Sequence, residues 1–523
     1  MKSEVSASQI TRRGNSRTWK RIIKSQATDF CLATGLHGYK YIVQSNRTTT
    51  EKAIWSLIVI SSLCCSLVCM KIAWDYMSAH STLTVIESTH HGIWNYPFPA
   101  VTICNNNQIS YKRAREFVDN LTILGGLSKE FIFEEMQMLI EMIDPGVFDY
   151  DVYENLTLLQ EVFDVNNYSV SQVMKMVRQD CSSLLKTCKW SGNSTPCHKL
   201  FEETRSRDGL CCSFNHIHSE SKLQSKSEPR RLNACGYQTG LTLLVDAEAE
   251  DYYASLYGSY GVKVVVHYPY NYPDRSDEFK LVGLGVQAFL GISPEETYST
   301  PGVKDLSLKA RDCTYNGKEL PESMQLYSHN FTWTKYSYSN CLNECRASTM
   351  IAKCGCVPYY IPQNGIRECD FRDIKCLTAI RSEYDTSWPG SQITSSELPD
   401  VNIDIYNRPC GCLLDCTVYR YPVDSTEGIL DKERYYSDKN FFDFANVKNY
   451  SLINVFFTDL VSIQYRRDVY YNWKNLFASF GGLLGLFVGF SLMTAFELFY
   501  FFVVRVIADK CIKKKMQVNI QNS

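Results

Sequence analysis

The stretch Leu476–Val504, LFASFGGLLGLFVGFSLMTAFELFYFFVV, constrains this chain more than any other. From Leu476 to Phe496 it runs 21 residues without a charge. As a helix that run spans about 31 Å, which matches a bilayer core of ~30 Å. Gly481, Gly485 and Gly489 fall four apart on one helical stripe, with Ser491 just beyond. Such a seam of small residues lets helix backbones approach closely. Glu497 follows directly, and an ionisable residue near membrane depth points to function. As a plain anchor, the segment would only pack through its glycines and let Glu497 reach the headgroups.

A second uncharged run, Ala53–Met70 (AIWSLIVISSLCCSLVCM), has 18 residues and lies too far from the N-terminus for a cleaved signal. Residues 1–52 hold ten Lys/Arg against three acids, and residues 505–523 hold five against one. Basic flanks belong on the cytoplasmic side. Both termini are therefore expected in the cytosol, in a multi-pass protein of the plasma membrane. The expected division is a cytoplasmic segment 1–52, a first transmembrane helix 53–74, an extracellular cysteine-rich domain 75–472, a second transmembrane helix 473–504 and a cytoplasmic tail 505–523. The tail's Lys513-Lys514-Lys515 reads first as a plain marker of the inner side, the alternative being a cluster that attracts anionic membrane lipid by ~1 kcal/mol per charge. A net charge of −2 gives no reason to expect nucleic acid.

Cysteine placement tests that topology. Seventeen of the 22 cysteines lie between Cys104 and Cys416, inside the proposed exterior, and such density reads as disulfides. Six glycosylation sequons, at Asn120, Asn155, Asn167, Asn193, Asn330 and Asn449, agree with an exposed secreted-type domain. A strand is expected after Pro99 within Tyr96–Asn105, and a buried one at Val262–His267. Residues 111–142 carry helical patterning, and residues 451–467 are expected to run as a strand toward the last span. The exterior therefore reads as mixed α and β. His37-Gly38 follows an apolar patch at Phe30–Leu36, and taken alone reads as a loop turn.

Residues 340–416 are the most informative outside the membrane. Asn340–Ala352 is expected to be helical, with Cys341 and Cys345 on one face. CGCLLDC is expected to put Cys410 and Cys412 on one face of a strand. Four helical residues rise ~6 Å and two strand residues ~6.7 Å, so two successive disulfide rungs fit between them. Zinc ligation by the C-x-C pairs competes, but no Cys or His cluster has a four-ligand spacing. Patterns for hydrolases (G-x-S-x-G, H-E-x-x-H) and for a P-loop are missing.

FPAVTICN after the first span, NCLNEC…CGCVPYYIP…CGCLLDC, and GGLLGLFVGFS in the second span resemble the epithelial sodium channel/degenerin family. RDGLCCSFN and YSNCLNEC…CGCVPYY resemble its insect pickpocket branch. The resemblance covers residues 35 to 500. It implies an α+β membrane protein with two transmembrane helices flanking a hand-like, disulfide-rich exterior of palm, thumb and finger. It implies a homo- or heterotrimer with related subunits, conducting sodium, blocked by amiloride and opened by a sensory stimulus, with no enzyme chemistry and no cofactor.

The resemblance also assigns roles. His37 and Gly38 would act in gating, as would Ala478, where a bulky residue holds such channels open. Gly485 would lie at the amiloride site. Gly489, Phe490 and Ser491 would form the selectivity filter, with Glu497 the acid below it. The implied disulfides are Cys104–Cys211, Cys188–Cys197, Cys313–Cys416, Cys341–Cys412, Cys345–Cys410, Cys354–Cys376 and Cys356–Cys369. Cys181, Cys212 and Cys235 stay open, and Cys212 competes with Cys211 for Cys104. Three positions depart from many relatives. Phe490 is bulky, Ser479 replaces an outer acid, and Tyr500 replaces a second inner acid. Competing readings are a non-conducting receptor or adhesion protein, a regulatory subunit of a heteromeric channel, and an ATP-gated trimeric channel.

Overall fold

The computed structural model describes residues 24–123, 125–146, 149–218, 228–315, 335–363, 365–385, 409–431, 449–470 and 473–509. The chain divides into two compact units, Met1–Leu83 with Val469–Ser523, and Thr84–Asp468.

In the first unit, α1 (Thr49–Ala79) starts at a capping box. The Thr48 hydroxyl accepts from the Glu51 amide, and the Glu51 carboxylate accepts from the Thr48 amide. Leu57, Ile60, Leu67 and Val68 stand exposed along it. It is the one described helix long and apolar enough by itself to cross a membrane. The second apolar run differs from the single helix expected for it. It divides into α2 (Trp473–Val488) and α3 (Leu492–Phe499), and passes the same test only as a pair bent by 72°. A π-helical turn, Tyr500–Val504, follows α3.

Among the described residues the strands form four sheets. A four-stranded sheet runs Thr82–Gly92, Val461–Val469, Glu295–Ser299 and Val418–Arg420, and Asn107–Ser110 pairs with Tyr252–Ser255. The two largest sheets share one core. The first, in spatial order, is Glu278–Val282, Val262–His267, Ala100–Asn105, Gly209–Phe214 and Phe201–Ser206, antiparallel throughout. The second runs Val423–Ile429, Val286–Ile292, Tyr450–Phe457, Leu241–Asp246, Leu185–Trp190 and Asn193–Ser194, with one parallel pairing, Val286–Ile292 on Tyr450–Phe457. Val101, Ile103 and Val264 from the first sheet share a core with Leu243, Leu290 and Val455 from the second. Each such side chain stabilises by about 1.5–3 kcal/mol when fully buried. A second core collects the helices Tyr111–Asp119, Lys129–Glu135, Tyr150–Val165, Val170–Val177 and Tyr338–Cys354.

Val262–His267 is buried at every position, because it is a central strand with both faces covered. Lys263 is carried inside with it, and its Nζ lies 2.5 Å from Asp208 Oδ2. Residues 111–142 are helical as expected, in three segments, with a gap after Asp119 where Gly126 takes φ 104°. One expectation changes. Residues 451–467 divide between two sheets, because Thr458–Leu460 bends the chain between Tyr450–Phe457 and Val461–Val469.

Eight disulfides join Cys104–Cys211, Cys181–Cys212, Cys188–Cys197, Cys313–Cys416, Cys341–Cys412, Cys345–Cys410, Cys354–Cys376 and Cys356–Cys369. Cys211 and Cys212 are consecutive on a strand, so they face opposite ways and reach different partners. Cys235 keeps a free thiol. The segment at Cys410 is not the strand expected. Cys410 and Gly411 take φ 56° and 65° in a short turn, so the helix Tyr338–Cys354 is stapled to a turn.

Candidate functional site

The break between α2 and α3 places a helix stop next to a helix start. Gly489 takes φ 75°, the left-handed conformation that ends helices and that glycine alone adopts freely. Its amide donates to the Gly485 carbonyl at 3.0 Å, and the Phe490 amide to that of Leu484 at 3.2 Å. Ser491 then caps α3. Its hydroxyl accepts from the Thr494 amide at 3.3 Å, and the Thr494 hydroxyl accepts from the Ser491 amide at 3.4 Å.

Such a break leaves carbonyls at the end of α2 without helical donors, which is costly in an apolar surrounding. Two donors come from far along the chain. Ser62 on α1 donates its hydroxyl to the Phe487 carbonyl at 2.5 Å, and the His37 amide donates to the Val488 carbonyl at 3.0 Å.

His37 stands in a turn before the short helix Tyr39–Val43, where Gly38 takes φ 81°. A Cβ on Gly38 would lie 2.9 Å from Val59 Cγ2, and a Cβ on Gly489 would lie 2.8 Å from His37 Cδ2. Both glycines are thus required by conformation and by space. Phe30, Leu36 and Val488 form a small buried cluster, and Phe490 packs against it. Below, Thr34 Oγ1 donates to Glu497 Oε2 at 2.9 Å, and Arg505 pairs with Asp29 at 3.1 Å.

The structure therefore brings His37 to the break at Gly489 and Phe490, with Gly38 next in the chain against Val59 and Glu497 about two turns further along α3, on Thr34. Gly485 lies a turn earlier, where an added Cβ would meet only the Phe490 carbonyl oxygen, at 3.7 Å. Ser491 is exposed beside the break. Ala478 and Ser479 stand exposed about three turns back along α2, apart from this group. Tyr500 is exposed in the π turn. Sequence reasoning missed Thr34, Ser62 and Thr494. Thr34 was folded into an apolar patch, and the hydroxyls of the first run were its one readable signal, since buried serines in spans bond to neighbouring helices. Asn120, Asn167 and Asn193 are exposed; Asn449 is half-buried; Asn155 is half-buried and donates to Glu135 Oε1 at 2.9 Å. Asn330 and Lys513-Lys514-Lys515 lie outside the described residues.

A family model described as "Amiloride-sensitive sodium channel" matches residues 30–501. The chain belongs to the amiloride-sensitive sodium channel family. That family comprises plasma-membrane ion channels, not enzymes, whose subunits are oligomeric and carry a disulfide-rich extracellular domain. Within it, this chain is 26% identical to the sodium channel protein Nach of Drosophila melanogaster, over 93% of this chain and 87% of that protein. It is 24% identical to pickpocket protein 28 of Drosophila melanogaster, over 92% and 79%. The human bile acid-sensitive ion channel is 25% identical, over 90% and 84%. These matches agree with the insect pickpocket branch.

Proposed function

We propose that this chain is a pore-forming subunit of a sodium-preferring, amiloride-sensitive cation channel of the pickpocket type, opened by a sensory stimulus. The observation that carries this reading is the break at Gly489–Ser491, closed on one side by His37 and Ser62. In this reading α1 and the α2–α3 pair cross the membrane, both termini are cytosolic, and the cysteine-rich unit with its sequons lies outside.

A trimer brings three copies of the break to one axis. The unwound backbone and the Ser491 hydroxyl then offer oxygens that replace part of an ion's hydration shell. Three copies of Glu497 at the inner mouth favour cations over anions. In this reading Phe490 does not narrow the pore, since it packs against the cluster of Phe30, Leu36 and Val488. Gly485 is the place for amiloride, and His37 and Gly38 couple the N-terminal segment to the filter. Ala478 faces the outer pore, where bulk would hinder closure.

Whole-cell voltage clamp of cells expressing this chain with Ala478→Val, under sodium replacement and amiloride, tests the reading. A sodium-carried, amiloride-blocked current supports it. Surface protein that stays silent, alone and with related subunits, rejects it.

A further inference from the structure

In the larger unit a cavity of about 260 Å³ opens between the helix Val170–Val177, the strands Phe201–Ser206 and Gly209–Phe214, and the Tyr359–Pro362 segment. Three buried polar atoms belonging to residues of its wall have no hydrogen-bond partner among the described residues. They are Thr204 Oγ1, His216 Nδ1 and the Tyr359 hydroxyl, on residues 3%, 5% and 1% exposed. Each such atom is costly while it stays unpaired. Water alone satisfies atoms of this kind, so the charges around them carry the argument.

Lys175 and Arg205 line the cavity, and Arg178 is buried beside it. Against these three cations stands one lining acid, Glu203. It already receives Lys175 at 3.2 Å, and Arg178. Arg205 donates one N–H to the Tyr359 carbonyl at 3.1 Å. The remaining donors of its fork have no acceptor among the described residues, so the wall keeps an excess of positive charge. Burial, then the neighbouring His267 and His218, hold the pKa of His216 well below the usual value, so its ring adds no charge to the wall at neutral pH. Leu210, Tyr272 and Pro362 supply an apolar wall.

We propose that this cavity binds a small organic carboxylate with an apolar body. The carboxylate sits on Arg205, and the apolar body lies against Tyr359 and Leu210. The volume falls just short of the ~300–1,000 Å³ of drug-sized sites, so the occupant has on the order of ten heavy atoms. A bare halide would leave the apolar wall and most of the volume unused.

The full chain in detergent micelles is dialysed to equilibrium against 4-hydroxybenzoate at neutral pH, with 4-hydroxybenzamide as the uncharged control. Saturable binding is expected, with the amide at least about tenfold weaker and Arg205→Gln weakened by about tenfold or more. Lys175→Glu reverses a charge on a side chain that is 66% exposed and outside the cores, so the fold tolerates it; it too is expected to weaken the acid. Equal binding of acid and amide, undiminished binding to folded Lys175→Glu protein, or no binding at about 10 mM overturns the proposal. The readout is binding, not current, so its failure leaves the channel reading untouched.

Discussion

The imidazole of His37 occupies the space that a side chain at position 489 would need, 452 positions further along the chain, with a built Cβ only 2.8 Å from its Cδ2. Gly489 also holds φ 75°, so the contact and the conformation exclude other residues independently.

Gly489→Ala is therefore expected to lower current per surface channel by at least about fivefold, since the left-handed conformation alone costs about 1–2 kcal/mol for a residue with Cβ. His37→Ala in the same chain relieves the steric part only. The double variant should be no worse than Gly489→Ala alone, and a double-mutant cycle of currents against surface biotinylation reads that coupling. Strict additivity would separate the two residues.

Glu497→Gln is expected to reduce unitary conductance or cation preference without changing the amount at the surface. Thr34→Val removes the hydroxyl that donates to this carboxylate at 2.9 Å, and should shift the same parameters to a smaller degree. A hydrogen bond to a charged group is worth about 1.5–3 kcal/mol. Unchanged single-channel current and reversal potential in Glu497→Gln would argue against a pore position.

Asp208 accepts from Lys263 Nζ at 2.5 Å, Arg275 Nε at 3.1 Å and the Tyr257 hydroxyl at 3.2 Å, and it is buried with Lys263. Asp208→Asn strands the buried Lys263, while Arg275 keeps Asp144 at 3.1 Å, and is expected to destabilise the unit by about 3–5 kcal/mol. Asp119→Asn, which loses only an exposed pairing with Arg115 at 3.8 Å, should cost less than about 1 kcal/mol. Thermal melts of the two variants decide between buried and surface electrostatics.

His267 is buried, donates from Nδ1 to the Tyr268 carbonyl (3.0 Å) and accepts at Nε2 from the Thr102 hydroxyl (2.9 Å), and is pushed by burial down to about 4 from 6.5. The unfolded chain therefore takes up this proton first as pH falls. Stability from His267 is complete above about pH 6.5 and is lost as pH falls toward about 4, by up to about 1.4 kcal/mol per pH unit. His216, also pushed down by burial, acts in the same direction. Melting temperature should drop between neutral pH and about pH 5, and His267→Gln should flatten the slope. An equal slope in the variant would assign the effect to other groups.

The two apolar runs, the cysteine-dense middle, the strands at Ala100–Asn105 and Val262–His267 and the helix at Tyr338–Cys354 were legible because each is written in neighbouring residues: uncharged length, alternation, helical spacing. The glycine–aromatic–serine triplet was legible as a motif, but the 72° bend it makes was not, since an uncharged run reads as one helix whether or not a glycine inside it turns left-handed. Tertiary structure alone decided that Thr34 meets Glu497, that Ser62 meets the Phe487 carbonyl and that Cys212 bonds Cys181 instead of competing for Cys104. Those partners are separated by 463, 425 and 31 positions. Composition and period act along the chain, whereas a hydrogen bond or a disulfide depends on distances that exist only once the chain has packed.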